Sequence, residues 1–137
     1  MVRAPEGTCS HGGGLLRRGC GREAVGSCVY CGRMFCAAHG RRGADYADTC
    51  SRRPCRAKLR DVEAHVKWKQ QVGQSNRVAV CAREQCSERM RHRCSRCHLM
   101  FCEEHVRLVR APTGRSTRRM ARTLICGHCF DRRRLWD

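Results

Sequence analysis

CVYCGRMFCAAH, residues 28–39, is repeated in outline by CSRCHLMFCEEH, residues 94–105. Both stretches have the spacing Cys-x2-Cys-x4-Cys-x2-His, and Met-Phe precedes the third cysteine in each. A further cysteine stands eight positions upstream of each stretch, at Cys20 and Cys86. Such agreement in residue type and spacing indicates an internal repeat of one small unit.

The remaining cysteines complete two sets of eight donors. One cysteine lies farther upstream of each copy and a pair lies downstream, namely Cys9 with Cys50 and Cys55, and Cys81 with Cys126 and Cys129. The 14 cysteines and the two repeated histidines therefore give sixteen donors, eight in each copy. Eight Cys/His donors suit two tetrahedral zinc ions. The sequence thus predicts four zinc ions per chain and leaves no cysteine over.

Four successive pairs of donors allow two arrangements. They can bind sequentially, or they can be cross-braced, with the first and third pairs on one ion. The short Cys-x2-Cys and Cys-x2-His separations favour cross-bracing, although sequential pairing remains an alternative. The predicted sites are Cys9, Cys20, Cys36 and His39; Cys28, Cys31, Cys50 and Cys55; Cys81, Cys86, Cys102 and His105; and Cys94, Cys97, Cys126 and Cys129. His11 is an alternative to Cys9 as first ligand, because the glycine-rich gap before Cys20 is long.

Composition favours a metal scaffold over a disulfide scaffold. A chain of 137 residues with three Phe, two Trp and two Tyr can bury little apolar surface unaided. The N-terminus has no apolar segment typical of a signal peptide, and no run approaches transmembrane length. We therefore expect an intracellular protein of a reducing compartment, cytoplasm or nucleus, where paired cysteines are more often metal ligands.

The charge favours a polyanionic partner. The formal charge is +17, and 26 of the 29 basic residues are arginine. Fourteen thiolates would remove fourteen charges and four zinc ions would restore eight, which still leaves +11. A GC-rich genome explains part of the arginine bias. The other explanation is function, since the guanidinium fork suits contacts with phosphates and stacking on bases.

The predicted fold class is a small metal-stabilised α+β protein: two tandem cross-braced zinc modules with short β-hairpins, joined by an amphipathic helix. Module one covers residues 1–55, a helical linker and hinge covers 56–76, and module two covers 77–137. Leu59, Val62 and Val66 predict a helix over 56–72, with 73–76 as the hinge. A short helical turn is predicted over 130–136.

Residues 106–125 predict a basic hairpin, with strands at 106–111 and 120–125 and a turn at 112–115. The hairpin carries no acidic residue. With the C-terminal arginines it gives the predicted nucleic-acid contacts: Arg107, Arg110, Arg115, Arg118, Arg119, Arg122, Arg132, Arg133 and Arg134. A solvated loop is the alternative. The histidines outside the donor scheme, His65, His92, His98 and His128, are expected on the surface.

The run Cys-x2-Cys-x3-Phe-Cys-x2-His at 28–39 and 94–105 resembles the centre of the AN-one (stress-associated protein) zinc finger, and more loosely B-box and FYVE modules. The likeness covers about a dozen residues in each copy. It implies a cross-braced fold and a role in binding protein partners. This chain departs from the family at its downstream pairs, where the family has His-x-Cys, and at its wide first pair. Its composition also resembles that of small RNA-binding viral proteins.

Two functions follow as hypotheses. The first is a non-enzymatic protein that binds nucleic acid, RNA or single strands, because no recognition helix for the major groove is evident. The second is an adaptor that binds an acidic or ubiquitin-like protein. We expect no membrane partner and no enzymatic activity. Filled zinc sites leave no open coordination position, and no cysteine remains outside them to act as a nucleophile.

Overall fold

The computed structural model describes residues 6–44, 47–113 and 116–135. The chain has the expected small α+β character, with one long helix and mostly very short strands. In chain order the elements are β1 (Gly26–Ser27), β2 (Met34–Phe35), β3 (Gly40–Arg41), β4 (Thr49–Cys50), α1 (Arg53–Asn76), β5 (His92–Arg93), β6 (Met100–Phe101), a 3-10 turn (Glu103–His105), β7 (Val106–Thr113), β8 (Ser116–Cys126), α2 (Gly127–Asp131) and a second 3-10 turn (Arg133–Leu135). Within the described ranges, no helix is long and apolar enough to cross a membrane.

The chain divides into two compact units, Met1–Val62 and Glu63–Asp137. Each core consists mainly of cysteine side chains around one phenylalanine. In the first unit, Phe35 is buried with five cysteines. In the second unit, Phe101 is buried with six cysteines, Val72, Ala82 and Ile125. Cores this small provide little apolar burial, so the units need another source of stability.

The sequence repeat corresponds to two hairpins of the same register. Gly26 pairs with Phe35 in β1–β2, and His92 pairs with Phe101 in β5–β6. Both turns contain a residue with positive φ, Gly32 at 70° and His98 at 63°. The equivalent position is therefore left-handed in both copies, and His98 occupies it although it is not glycine.

Helix α1 is longer than predicted at both ends. It begins at Arg53, before Cys55, because Pro54 fits the first turn, where its missing N–H costs nothing. It also continues through Gly73 to Asn76, so the predicted hinge at 73–76 is helical. The residue that terminates the helix is instead Ala79, which has a φ of +61°.

The end of α1 is a Schellman motif. The N–H of Val80 donates to the Ser75 carbonyl, and the N–H of Ala79 donates to the Asn76 carbonyl. These two bonds satisfy the last carbonyls of the helix around the left-handed Ala79. The helix therefore ends where this motif forms, and Gly73 lies inside the helix.

The basic hairpin exists, but its strands reach farther than predicted. Pro112 and Thr113 belong to β7, where Pro112 pairs with Met120 and Thr113 with Ser116. The register shifts between Pro112 and Thr113. Proline is tolerated in an edge strand, and in the described part of the chain β7 pairs with β8 alone. Of the predicted turn, Gly114 and Arg115 lie outside the described residues.

The predicted C-terminal helical turn begins earlier than Phe130. Helix α2 covers Gly127–Asp131, and a 3-10 turn follows at Arg133–Leu135. It begins at Gly127 because the Cys126 sulfur caps it by accepting a hydrogen bond from the N–H of Cys129. Trp136 lies outside the described residues.

Asn76 provides a test of the fold of the second unit. Its Nδ2 donates to the carbonyls of Val80 and Met100 at 2.9 Å each, and its Oδ1 accepts from the N–H of Met100 at 2.8 Å. We expect Asn76→Ala to lower the free energy of unfolding by about 3 kcal/mol, since each lost bond costs about 1 kcal/mol. Urea denaturation measures the change. The exposed neighbour Gln74, changed to Ala, is the control, and equal stability of the two variants would contradict this role.

Candidate metal centres

The structure brings the sixteen predicted donors into four groups of four. Within each group the ligand atoms all lie within 4.8 Å of one another. The groups are those that cross-bracing predicts: Cys9, Cys20, Cys36 and His39; Cys28, Cys31, Cys50 and Cys55; Cys81, Cys86, Cys102 and His105; and Cys94, Cys97, Cys126 and Cys129. Each group could hold one metal ion.

Distances within the groups fit a tetrahedral ion. Sulfur ligands at about 2.3 Å from zinc lie about 3.8 Å apart at tetrahedral angles. The Sγ atoms are 3.9 Å apart in Cys20–Cys36, 3.8 Å in Cys31–Cys50, 4.0 Å in Cys86–Cys102 and 3.9 Å in Cys97–Cys126. A disulfide would need about 2.05 Å. All fourteen cysteines are free of disulfides, and each belongs to one of the groups.

The two histidines face their groups through Nδ1. A nitrogen and a sulfur ligand on one zinc lie about 3.6 Å apart. His39 Nδ1 lies 3.6 Å from Cys9 Sγ and 3.5 Å from Cys36 Sγ. His105 Nδ1 lies 3.5 Å from Cys81 Sγ and 3.2 Å from Cys102 Sγ. The tight turn of each Cys-x2-His segment brings Nδ1 to the sulfurs, since the histidine N–H bonds to the cysteine carbonyl.

Backbone amides point at the sulfurs and favour thiolates. Cys94 Sγ accepts hydrogen bonds from the N–H groups of Arg96 and Cys126, each at 3.4 Å. Burial raises the pKa of the Cys28 thiol, but hydrogen bonds from the backbone at Cys50, Tyr30 and Cys31 outweigh it and hold the pKa at about 6. A metal binds the thiolate form of cysteine, so thiols that ionise readily are suitable ligands.

His11 lies beside the first group without joining it. Its ring stacks on His39, with centroids 4.0 Å apart and planes 10° from parallel. Its Nδ1 lies 3.5 Å from Ser51 Oγ. Burial, with the nearby His11 and Arg22, lowers the pKa of His39 and favours the neutral ring that binds metals. Cys9, not His11, belongs to the group, and His11 only stacks on the group's histidine, His39.

The four groups differ in access to solvent. The sulfurs of Cys94, Cys97, Cys126 and Cys129 are buried, with each residue no more than 1% exposed. In the corresponding group of the first unit, Cys31 is exposed while its three partners are buried. Reagents in solution can therefore reach Cys31 directly.

The surface position expected for His65 is wrong, because it is buried in a packed aromatic cluster. His128 belongs to the same cluster and is half-buried. His65 is 7% exposed, and its Nδ1 lies 3.1 Å from His128 Nε2. Trp68 stacks on His128, with centroids 3.5 Å apart, and Arg132 Nη1 lies 3.0 Å from His128 Nδ1. Burial, with Arg132, lowers the pKa of His128 to about 4 and so favours its neutral ring. His65, Trp68 and Val72 at helical spacing were the signal in the sequence.

The predicted nucleic-acid residues divide between several positions. Arg110 and Arg122 are exposed and directly opposite each other on β7 and β8. Arg107 and Arg133 lie over the ring of Phe130, at 4.9 and 5.3 Å from its centroid. Arg119 and Arg132 are exposed. Arg115 lies outside the described residues, as do the side chains of Arg118 and Arg134.

The difference in access predicts an order of thiol modification. We expect iodoacetamide to alkylate Cys31 first in the native protein, since a reagent must reach the sulfur. Cys94, Cys97, Cys126 and Cys129 should react last. Peptide mass spectrometry over a time course measures the order. Early modification of the buried second-unit group would contradict this reading of the structure.

The chain matches no protein-family model, and no curated protein or solved structure is significantly similar to it. No family match therefore supports the AN-one resemblance expected for residues 28–39 and 94–105.

Proposed function

We propose that the chain is a non-enzymatic zinc protein, built as two tandem cross-braced modules that bind four zinc ions and present a basic surface to nucleic acid, RNA in particular. Zinc is favoured because thiolate and imidazole donors in tetrahedral groups are its preferred ligands. The interleaved order of the donors supports cross-bracing, as the AN-one resemblance implies. Each group offers four protein donors, which supports a structural metal and leaves no position for a reacting water.

Binding of nucleic acid is supported chiefly by the β7–β8 hairpin. Its strands, Val106–Thr113 and Ser116–Cys126, contain five arginines and no acidic residue. A paired basic ribbon attracts the phosphate backbone and releases counterions when it binds. Single-stranded RNA suits it best, because arginine also stacks on unpaired bases.

An adaptor role is the second candidate, and one feature of the first unit favours it. Leu15 and Leu16 are 106% and 100% exposed at the tip of a small turn. The turn is closed by two hydrogen bonds between the backbones of Gly14 and Arg17, at 3.1 and 3.2 Å. Two adjacent leucines with no packing role, beside Arg17, could bind an apolar patch on an acidic or ubiquitin-like protein.

Zinc content and RNA binding test the first proposal on one sample. We expect about four zinc ions per chain by elemental analysis. We also expect the protein to bind a fluorescent oligouridine through several phosphate contacts, so that its affinity falls about 10²-fold or more between 50 and 200 mM salt. Removing zinc with a chelator should abolish binding, because the units lose their stabilising ions.

Two or fewer zinc ions would overturn the metal scheme. Four zinc ions without RNA binding would favour the adaptor. In that case Leu15→Ser with Leu16→Ser should abolish capture of a partner that survives nuclease treatment and high salt.

A further inference from the structure

Alternation along β7 and β8 separates two faces of the hairpin. Successive residues of a strand point to opposite faces, and residues directly opposite share a face. At the base of the hairpin both faces contact the second-unit core, since Val106 and Cys126 lie on one face and Val109 and Ile125 on the other. Farther along the ribbon, only the face of Val109 packs against this core, and we call it the inner face. Beyond the Val106–Cys126 pair at the base, the outer face carries three cross-strand pairs in order along the ribbon: Leu108 with Leu124, Arg110 with Arg122, and Pro112 with Met120.

The central pair places two like charges side by side. Residues directly opposite in an antiparallel pair have Cβ atoms about 5 Å apart, and like charges there are destabilising. Among the described residues, the guanidinium groups of Arg110 and Arg122 have no ion-pair or hydrogen-bond partner. No acid occurs on either strand to relieve the repulsion. An anion from outside the chain would neutralise both groups.

The flanking pairs are apolar, and three of their four residues are exposed, while Leu124 is half-buried. Leu108 is 58% exposed and Met120 is 47% exposed, although nothing in the packing of the second unit requires large apolar residues there. They lie one step on either side of the arginine pair, about 7 Å away along the ribbon. Along the ribbon, the outer face therefore presents an apolar pair, then the two arginines, then a second apolar pair.

We propose that Arg110 and Arg122 clamp one phosphodiester of single-stranded RNA, while the bases on either side contact the Leu108–Leu124 and Pro112–Met120 pairs. This inference rests on the proposed binding of nucleic acid and specifies its site and geometry. Two planar guanidinium forks across the ribbon match the oxygens of one phosphate, which accepts bidentate hydrogen bonds. Unpaired bases have free apolar faces, whereas bases stacked inside a duplex do not.

Three double variants test the clamp with zinc-loaded protein and a fluorescent oligouridine. Arg110→Gln with Arg122→Gln should weaken binding about tenfold or more, since each charged hydrogen bond contributes strongly. It should reduce the slope of log K against log salt by about 0.7, the value for one phosphate of a single strand. Its zinc content should be unchanged and its melting temperature should not fall, because the variant removes a repulsion.

The second variant preserves the charge, and the third preserves the clamp. Arg110→Lys with Arg122→Lys should weaken binding while leaving the salt slope unchanged, because lysine keeps the charge and lacks the fork. Arg60→Gln with Lys67→Gln removes the same charge from exposed positions of α1 and should bind like the natural protein. Leu108→Thr should weaken binding without changing the slope.

The outcomes separate the clamp from the proposed function. If the natural protein binds RNA and the variant with Arg110→Gln and Arg122→Gln binds it equally well, the clamp is overturned and the proposed function stands. A slope change of about 1.4 would overturn the shared phosphate, because each arginine would then hold its own. No salt-dependent RNA binding by the natural protein would overturn both, and binding of polyglutamate in its place would favour an acidic protein partner.

Discussion

Sulfur atoms held about 3.9 Å apart, most of them buried, are the constraint on which both units depend. Among Cys94, Cys97, Cys126 and Cys129, one Sγ–Sγ distance is 3.9 Å and every residue is buried. Four thiolates in such a volume repel one another, and four thiols have too few acceptors to satisfy them. A divalent cation at the centre would replace this repulsion by attraction between the cation and each thiolate. The cores contain so little else that their folding and their metal binding would be one event.

The local geometry follows from the same constraint. The hairpins β1–β2 and β5–β6 turn through a left-handed residue, and amides such as that of Arg96 approach the sulfurs. Phe35 and Phe101 each fill the space beside the groups. A β-carbon at Gly40 would overlap the ring of Phe35, so this strand requires glycine. These residues make room for the donors and hold their orientation.

The sequence was informative where chemistry depends on spacing, and less so where it depends on tertiary contact. The grouping of donors was predictable because Cys-x2-Cys and Cys-x2-His limit which atoms can converge. The end of α1 was not, since the Schellman motif forms at Ala79, a residue that gives no stop signal, while Gly73 gives one that is overridden. The pairing of His65 with His128 joins residues 63 positions apart, which no local pattern reveals. Pro112 suggested a turn, but an edge strand accommodates it.

In the described part of the chain, β7 and β8 pair only with each other, so most of both outer edges of this ribbon is unpaired, although the Leu124 carbonyl accepts a hydrogen bond from the Ser95 N–H. Free edges invite pairing with another copy, and proteins commonly prevent this with positive charge. The arginines of the hairpin would thus keep separate molecules apart as well as attract an anion. Once a polyanion neutralises them, that protection is lost. If RNA binds as proposed, molecules gathered on one strand would have both the proximity and the exposed backbone needed to assemble edge to edge.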